Sequence, residues 1–233
     1  HQPPEGGGLQ MRAGLVVHGI QSLLGSSLHI PHARPPPWGR GPAGEPAPIE
    51  VVRANAAASA LGILILLGVL AGSPRGRLAD FGIDLRNGPQ LVSTGVVTFL
   101  ASWAPVLVML LATLPLRGDE PHNPYLQYLQ QDASPELVAW ICFAAIVIAP
   151  LSEELMFRVI LQGALEACLP PAAAIGIVAV VFSFIHPWPD SLPLIPLSVI
   201  LGYTYYRQRS FVAVVVTHSM FNLTNLVMMF LSP

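Results

Sequence analysis

From residue 51 onward the polar positions retreat into short connectors, and between them lie apolar runs at 54–72, 91–116, 137–169, 171–186, 192–206 and 211–231. A spanning helix needs about 20 mostly apolar residues, with about 17 to 25 as the working range. The runs therefore predict an all-α fold, a polytopic transmembrane helix bundle of about six membrane segments. Pro105 inside the second run predicts a kink. As one helix, at about 1.5 Å per residue, the third run would extend about 50 Å, more than a bilayer core. Pro150 is its natural break, with Ser152 as the N-cap of a new helix beginning at Glu153. Residues 1–50 are rich in Gly and Pro, as at Pro35, Pro36 and Pro37, and predict an irregular tail. Within it, the uncharged stretch 13–30 reads as loosely packed rather than as a signal-like segment, because Gly, Ser and His interrupt it. The organisation expected is a tail (1–50), N-terminal transmembrane helices with a polar loop (51–136), and a C-terminal helix bundle (137–233).

The connectors suggest an orientation. Residues 73–90 carry Arg75, Arg77 and Arg86, and the connector between the last two runs carries Arg207 and Arg209. Basic loops favour the cytoplasmic side, and the four runs between these two return the chain to the side it left. The loop 117–136 holds Asp119, Glu120, Asp132 and Glu136 against one Arg; with Pro121, Pro124 and Pro135 it reads as a non-helical surface stretch on the opposite side. Tyr203, Tyr205 and Tyr206 read as an interfacial aromatic belt.

Composition narrows the function classes. The chain of 233 residues is 53% hydrophobic and only 10% charged, against about 25% charged in soluble domains, so its main partner is the lipid bilayer. A formal net charge of −2, without a basic stripe, argues against nucleic acid as a partner. Cys142 and Cys168 lack a Cys-x-x-Cys spacing and are expected to be buried free thiols. From residue 137 on, the charged side chains are Glu153, Glu154, Arg158, Glu166, Asp190, Arg207 and Arg209. A charge at the bilayer centre costs at least about 2.5 to 3.5 kcal/mol, so such residues are functional candidates. Glu166 and Asp190 read as helix-end or loop charges.

Glu153 and Glu154 sit side by side in the apolar stretch Ala149, Pro150, Leu151, Ser152, Glu153, Glu154, Leu155, Met156, Phe157, Arg158. Glu154 and Arg158 are neighbours at i and i+4 and can form an ion pair. Glu153 then points about 100° away around the helix, available as a general base. Two histidines follow on apolar helical segments: His186, four after Phe182, and His218, four before Asn222. The second pair puts an imidazole and a carboxamide on one helix face, where both can donate to an oxyanion or hold a metal or water. Glu153, His186 and His218 are also the ligand types of a catalytic zinc, so the residues leave a divalent metal such as Zn2+ open. Each His alone is more often an interhelical hydrogen-bond partner; the ordered set of three motifs favours a site.

Those motifs, with Leu201 to Arg209 between the last two, resemble the signatures of the CAAX-protease and bacteriocin-processing (CPBP) family of intramembrane endopeptidases over about residues 137–229. One departure is Val159, where the family often has Gly after the motif Arg. The resemblance implies a multi-pass protein, expected in the plasma membrane of a prokaryote, that hydrolyses a peptide bond of a peptide or protein substrate, membrane-associated or prenylated. Glu153 and His186 would activate water, His218 and Asn222 would stabilise the oxyanion, and Glu154 with Arg158 would orient Glu153. Two rivals share the same residues. A non-catalytic scaffold or bacteriocin-immunity protein would keep the cluster as interhelical glue, and an ion-coupled transporter is weakened by the absence of an internal repeat.

Overall fold

A computed structural model describes residues 48–73, 77–116, 128–129, 134–189 and 191–231. The expectations for the tail up to residue 47, and for Arg75, Asp119, Glu120, Asp132 and Asp190, lie outside the described residues. Six helices carry the rest: α1 (Pro48–Ala71), α2 (Gly88–Thr113), α3 (Pro135–Glu166), α4 (Pro171–Phe184), α5 (Ser191–Gln208) and α6 (Phe211–Leu231). Four of them, α1, α2, α3 and α6, are long and apolar enough to cross a membrane; α4 is a shorter apolar helix. α5 carries Pro193 and Pro196 and a more polar C-terminal half. The protein is a helical membrane bundle.

Its surface is apolar where a soluble protein would be polar. Leu64 and Val69 on α1 and Val97 and Val108 on α2 are each about two-thirds exposed, which hydrocarbon tolerates and water does not. α5 lies at the centre, packed against α2, α3, α4 and α6, while α1 leans on α3. Hydrophobic burial cannot drive helix association in lipid, so small residues and interhelical hydrogen bonds set the contacts. Gly95 of α2 is one such point: a Cβ there would lie 2.7 Å from Val216 Cβ and 2.8 Å from the Ala213 carbonyl of α6. Thr217 Oγ1 donates across the same seam to Gly95 O at 2.9 Å. Gly202 of α5 is another, since Gln162 Nε2 donates to its carbonyl at 2.9 Å, and a Cβ would stand 2.9 Å from Gln162 Oε1.

The two Arg-rich connectors meet at one end of the bundle, as the positive-inside reading requires. Phe211 N–H donates to Gly82 O at 2.9 Å, and Tyr205 Oη donates to Phe81 O at 2.8 Å. Gly82 has φ of +76°, and a Cβ there would meet the Arg209 carbonyl oxygen at 2.6 Å, so this join is open to glycine alone. Glu166, at the end of α3, pairs with Arg209 at 2.8 Å and so sits where a helix-end charge was expected. At the opposite end Arg53 pairs with Glu136.

Three expectations are corrected. Pro150 does not break the third run: α3 is continuous over 32 residues, and Ser152 bonds back to Ala149 O at 3.0 Å instead of capping a new helix. The helix passes the proline on π-helical turns at Ala144–Ile148 and Leu155–Gln162, which flank the α-helical stretch Ala149–Glu154. Tyr205 is not a belt residue: it is 2% exposed, because its hydroxyl reaches Phe81 inside the Arg-rich end. Nor is Cys168 buried, since it follows the end of α3 in an exposed turn. Pro105 does lie inside α2, where the expectation put it.

A contrast between two glycines tests the packing. Gly95→Ala is expected to destabilise the bundle by about 1 to 3 kcal/mol through overpacking against α6. Gly62→Ala, in open space on α1, is expected to be neutral or to stabilise by up to about 1 kcal/mol through helix propensity. Thermal melting of both variants in detergent decides; equal melting points mean that α2 and α6 do not approach closely at Gly95.

Candidate active site

The site is assembled where α3, α4, α5 and α6 meet. α3 brings Glu153 and Glu154, both buried, about 18 Å from its end at Glu166, and α6 brings His218 about 10 Å from its start. Arg158, one turn after Glu154, is fully buried: its Nε donates to Glu154 Oε2 at 2.9 Å, and its Nη2 donates to Ser198 Oγ of α5 at 2.9 Å. The expected i, i+4 pair is therefore present. Ser198 is a partner the sequence reading missed. The available signal was its spacing of four from Gly202, the small-xxx-small pattern that brings transmembrane helices close.

Glu154 has a second partner. His218 Nδ1 donates to Glu154 Oε1 at 2.8 Å, so one carboxylate ties α3 to α6 while its other oxygen holds Arg158. Beside the pairing expected on α3, Glu154 thus holds His218, which reaches across from α6. With Nδ1 so engaged, the opposite ring nitrogen, Nε2, lies 3.9 Å from Glu153 Oε2. A water within hydrogen-bond reach of both can fill such a separation.

His186 lies two residues beyond the end of α4, in the connector to α5, not on the helix where its spacing from Phe182 had put it. The i+4 relation survives in another form, for its Nδ1–H donates to Phe182 O at 2.7 Å. That bond assigns the proton to Nδ1 and leaves Nε2 as the basic nitrogen. Phe182 is the post around which the cluster is arranged. Its ring centroid lies 4.9 Å from that of His186, 6.0 Å from His218 and 5.2 Å from Phe157, and the Arg158 guanidinium stands 5.2 Å from it. The ring excludes water from one side of the cluster and faces a cation, a stabilising arrangement when desolvated.

Asn222, one turn beyond His218, donates from Nδ2 to Ala145 O of α3 at 2.8 Å. The reason lies in the π-turn. Ala149 N–H bonds to Ala144 O, five residues back; the next bond of that ladder would run from residue 150 to Ala145 O, and a proline has no N–H to make it. Asn222 satisfies the carbonyl that Pro150 frees. The sequence motifs around Pro150 and Asn222 are thus two halves of one contact.

Glu153, Glu154, Arg158, His186, His218 and Asn222 are each at most 7% exposed and are gathered on this one junction. Among the described residues no three His, Cys, Asp or Glu side chains stand together as a metal-ligand group, and each imidazole is held through Nδ1, which leaves its Nε2 available. The arrangement offers the Glu153 carboxylate near His218, with His186 against the Phe182 post and a protein acceptor fixing each ring.

Arg158→Ala would leave the fully buried Glu154 without its cation. Removing one partner of a buried pair typically destabilises by about 3 to 5 kcal/mol, so the variant is expected to melt well below the parent protein. Unchanged melting would show that the pair contributes nothing to the fold.

Residues 135–224 match the model of a family described as type II CAAX prenyl endopeptidase Rce1-like. No curated protein matches the chain, and no solved structure matches it. The matched residues run from the start of α3 to α6 two positions past Asn222 and contain every side chain of the cluster. The chain is thus similar to the Rce1-like family over residues 135–224, from α3 into α6.

Proposed function

We propose that the protein is an intramembrane endopeptidase that hydrolyses a peptide bond of a membrane-associated substrate of the prenylated type, with Glu153 as general base. The observation that carries the reading is the separation of 3.9 Å between Glu153 Oε2 and His218 Nε2, both buried, with His218 held by Glu154. A water between them gives its proton to Glu153 as its oxygen bonds to the substrate carbonyl carbon. His186, with Nε2 basic, is the second group able to accept from that water. The carbonyl oxygen becomes an oxyanion, and with a proton on Nε2 His218 donates to it, joined by the second amide N–H of Asn222. As the tetrahedral intermediate collapses the C–N bond breaks, and the proton on Glu153 passes to the departing amine; the new carboxylic acid then gives up its proton to the amine, leaving a carboxylate and an ammonium group. The expected place of action is a prokaryotic plasma membrane.

Glu153→Gln preserves size and hydrogen bonding but cannot take the proton. The variant is expected to fold, insert and lose about 10²-fold to 10⁴-fold in cleavage rate, measured on a panel of prenylated C-terminal peptides and unmodified membrane peptides. A scaffold in which the cluster is only interhelical glue forecasts no difference, so equal cleavage by wild type and variant sinks the reading. In the same assay a chelator should leave the rate unchanged; loss of activity on chelation overturns the metal-free form of the mechanism.

Asn222→Ala removes an oxyanion donor and also the cap on Ala145 O. Turnover is expected to fall by about 10²-fold to 10³-fold, accompanied by a lower melting point. A fall in melting point with turnover intact would reduce Asn222 to its structural contact.

A further inference from the structure

On α6, His218, Asn222 and Asn225 stand at i, i+4 and i+7, and seven positions at about 100° each return to within about 20° of the starting direction. All three are at most 4% exposed. Their hydrogen bonding differs. His218 is bonded to Glu154, and the Asn222 amide nitrogen caps the carbonyl freed by Pro150, whereas Asn225 Nδ2 is buried with no hydrogen-bond partner. Among the described residues the other buried side-chain nitrogen in that state is Arg158 Nη1, which belongs to a guanidinium whose Nε and Nη2 are both bonded. Leaving a buried donor unmade costs more than replacing it with an apolar group of the same shape. An asparagine at that position is suited to a partner that arrives from outside the chain.

We propose that Asn225 is a substrate-positioning residue whose amide nitrogen donates to a backbone carbonyl of the bound peptide, away from the scissile bond. The inference rests on the endopeptidase reading of the same site. Seven helical residues span about 10 Å and an extended peptide advances about 3.3 Å per residue, so the carbonyl lies about three residues from the bond being cut. An extended segment running along α6 would meet His218 and Asn222 at the reacting carbonyl and Asn225 further on. A transmembrane α-helix has its carbonyls bonded internally and presents none to Asn225, so the site selects substrates whose backbone is unwound.

The test replaces the amide by a side chain of similar volume, Asn225→Leu, in the Glu153→Gln background. Retention of two probes, a farnesylated C-terminal peptide and an unmodified membrane peptide, is measured on the detergent-solubilised protein together with its melting temperature. Expected is a loss of retention of about fivefold or more for at least one probe, with a melting temperature equal to or above that of the parent. Equal retention with and without the substitution, including none by either, overturns the proposal. So does a fall of retention and melting temperature together, which a structural asparagine would give. The endopeptidase reading fails on a different measurement, equal cleavage by wild type and Glu153→Gln, so the two failures are distinguishable.

Discussion

One carboxylate holds the site together. Glu154, wholly buried, accepts from Arg158 on its own helix and from His218 on α6, and Arg158 passes the connection on to Ser198 of α5. Three helices are thereby joined through groups that hydrocarbon cannot solvate. In that setting an unpaired charge is far more costly than in water, while a fully hydrogen-bonded cluster can be accommodated. The consequence is positional accuracy: His218 cannot turn without breaking its bond to Glu154, and Glu154 cannot shift without stranding Arg158. A general base and an oxyanion donor require that kind of fixed surrounding, because misplacement by about 1 Å can cost about 10²-fold in rate.

The second constraint is the unusual backbone of α3. A regular α-helix with Pro150 inside would carry an unbonded carbonyl and a ring clash, about 3 kcal/mol or more in unfavourable energy. Here the π-helical turn redirects the ladder, and the freed carbonyl of Ala145 is returned to use by Asn222. The proline thus does not interrupt the span. It creates an acceptor that docks α6 eight to nine positions before the two glutamates on α3, and Gly95 and Gly202 allow the neighbouring helices to approach closely enough for such short contacts. Packing and chemistry share the same residues, which is why the same cluster also looks like interhelical glue.

Much of this is legible in the sequence. Runs of apolar residues of spanning length define the helices of a membrane bundle because the bilayer imposes a length and forbids unpaired backbone. The Glu154–Arg158 pair was legible because i and i+4 are neighbours on any helix. Other features were not. His186 stands in the connector after α4 because the helix ends at Phe184, and its link to Phe182 is to a carbonyl and not only to the ring. Tyr205 resembles its neighbours Tyr203 and Tyr206 in sequence, but it is buried and bonds Phe81 O, 124 positions earlier, whereas Tyr203 is exposed.

By itself the sequence determined the class of protein, the number and rough extent of its apolar segments, and the residue types able to do chemistry, because these depend on local composition and helical periodicity. Tertiary structure alone decided what each carboxylate meets beyond its own helix. Glu153 and Glu154 are adjacent and chemically identical, and the difference between a positioning residue and a candidate base arises from what lies about 100° apart around the helix: His218 and Arg158 on one side, the space before His218 Nε2 on the other. It also decided that Pro150 and Asn222, 72 positions apart, meet through the carbonyl of Ala145. No periodicity encodes a donor and an acceptor brought together by the crossing of two helices.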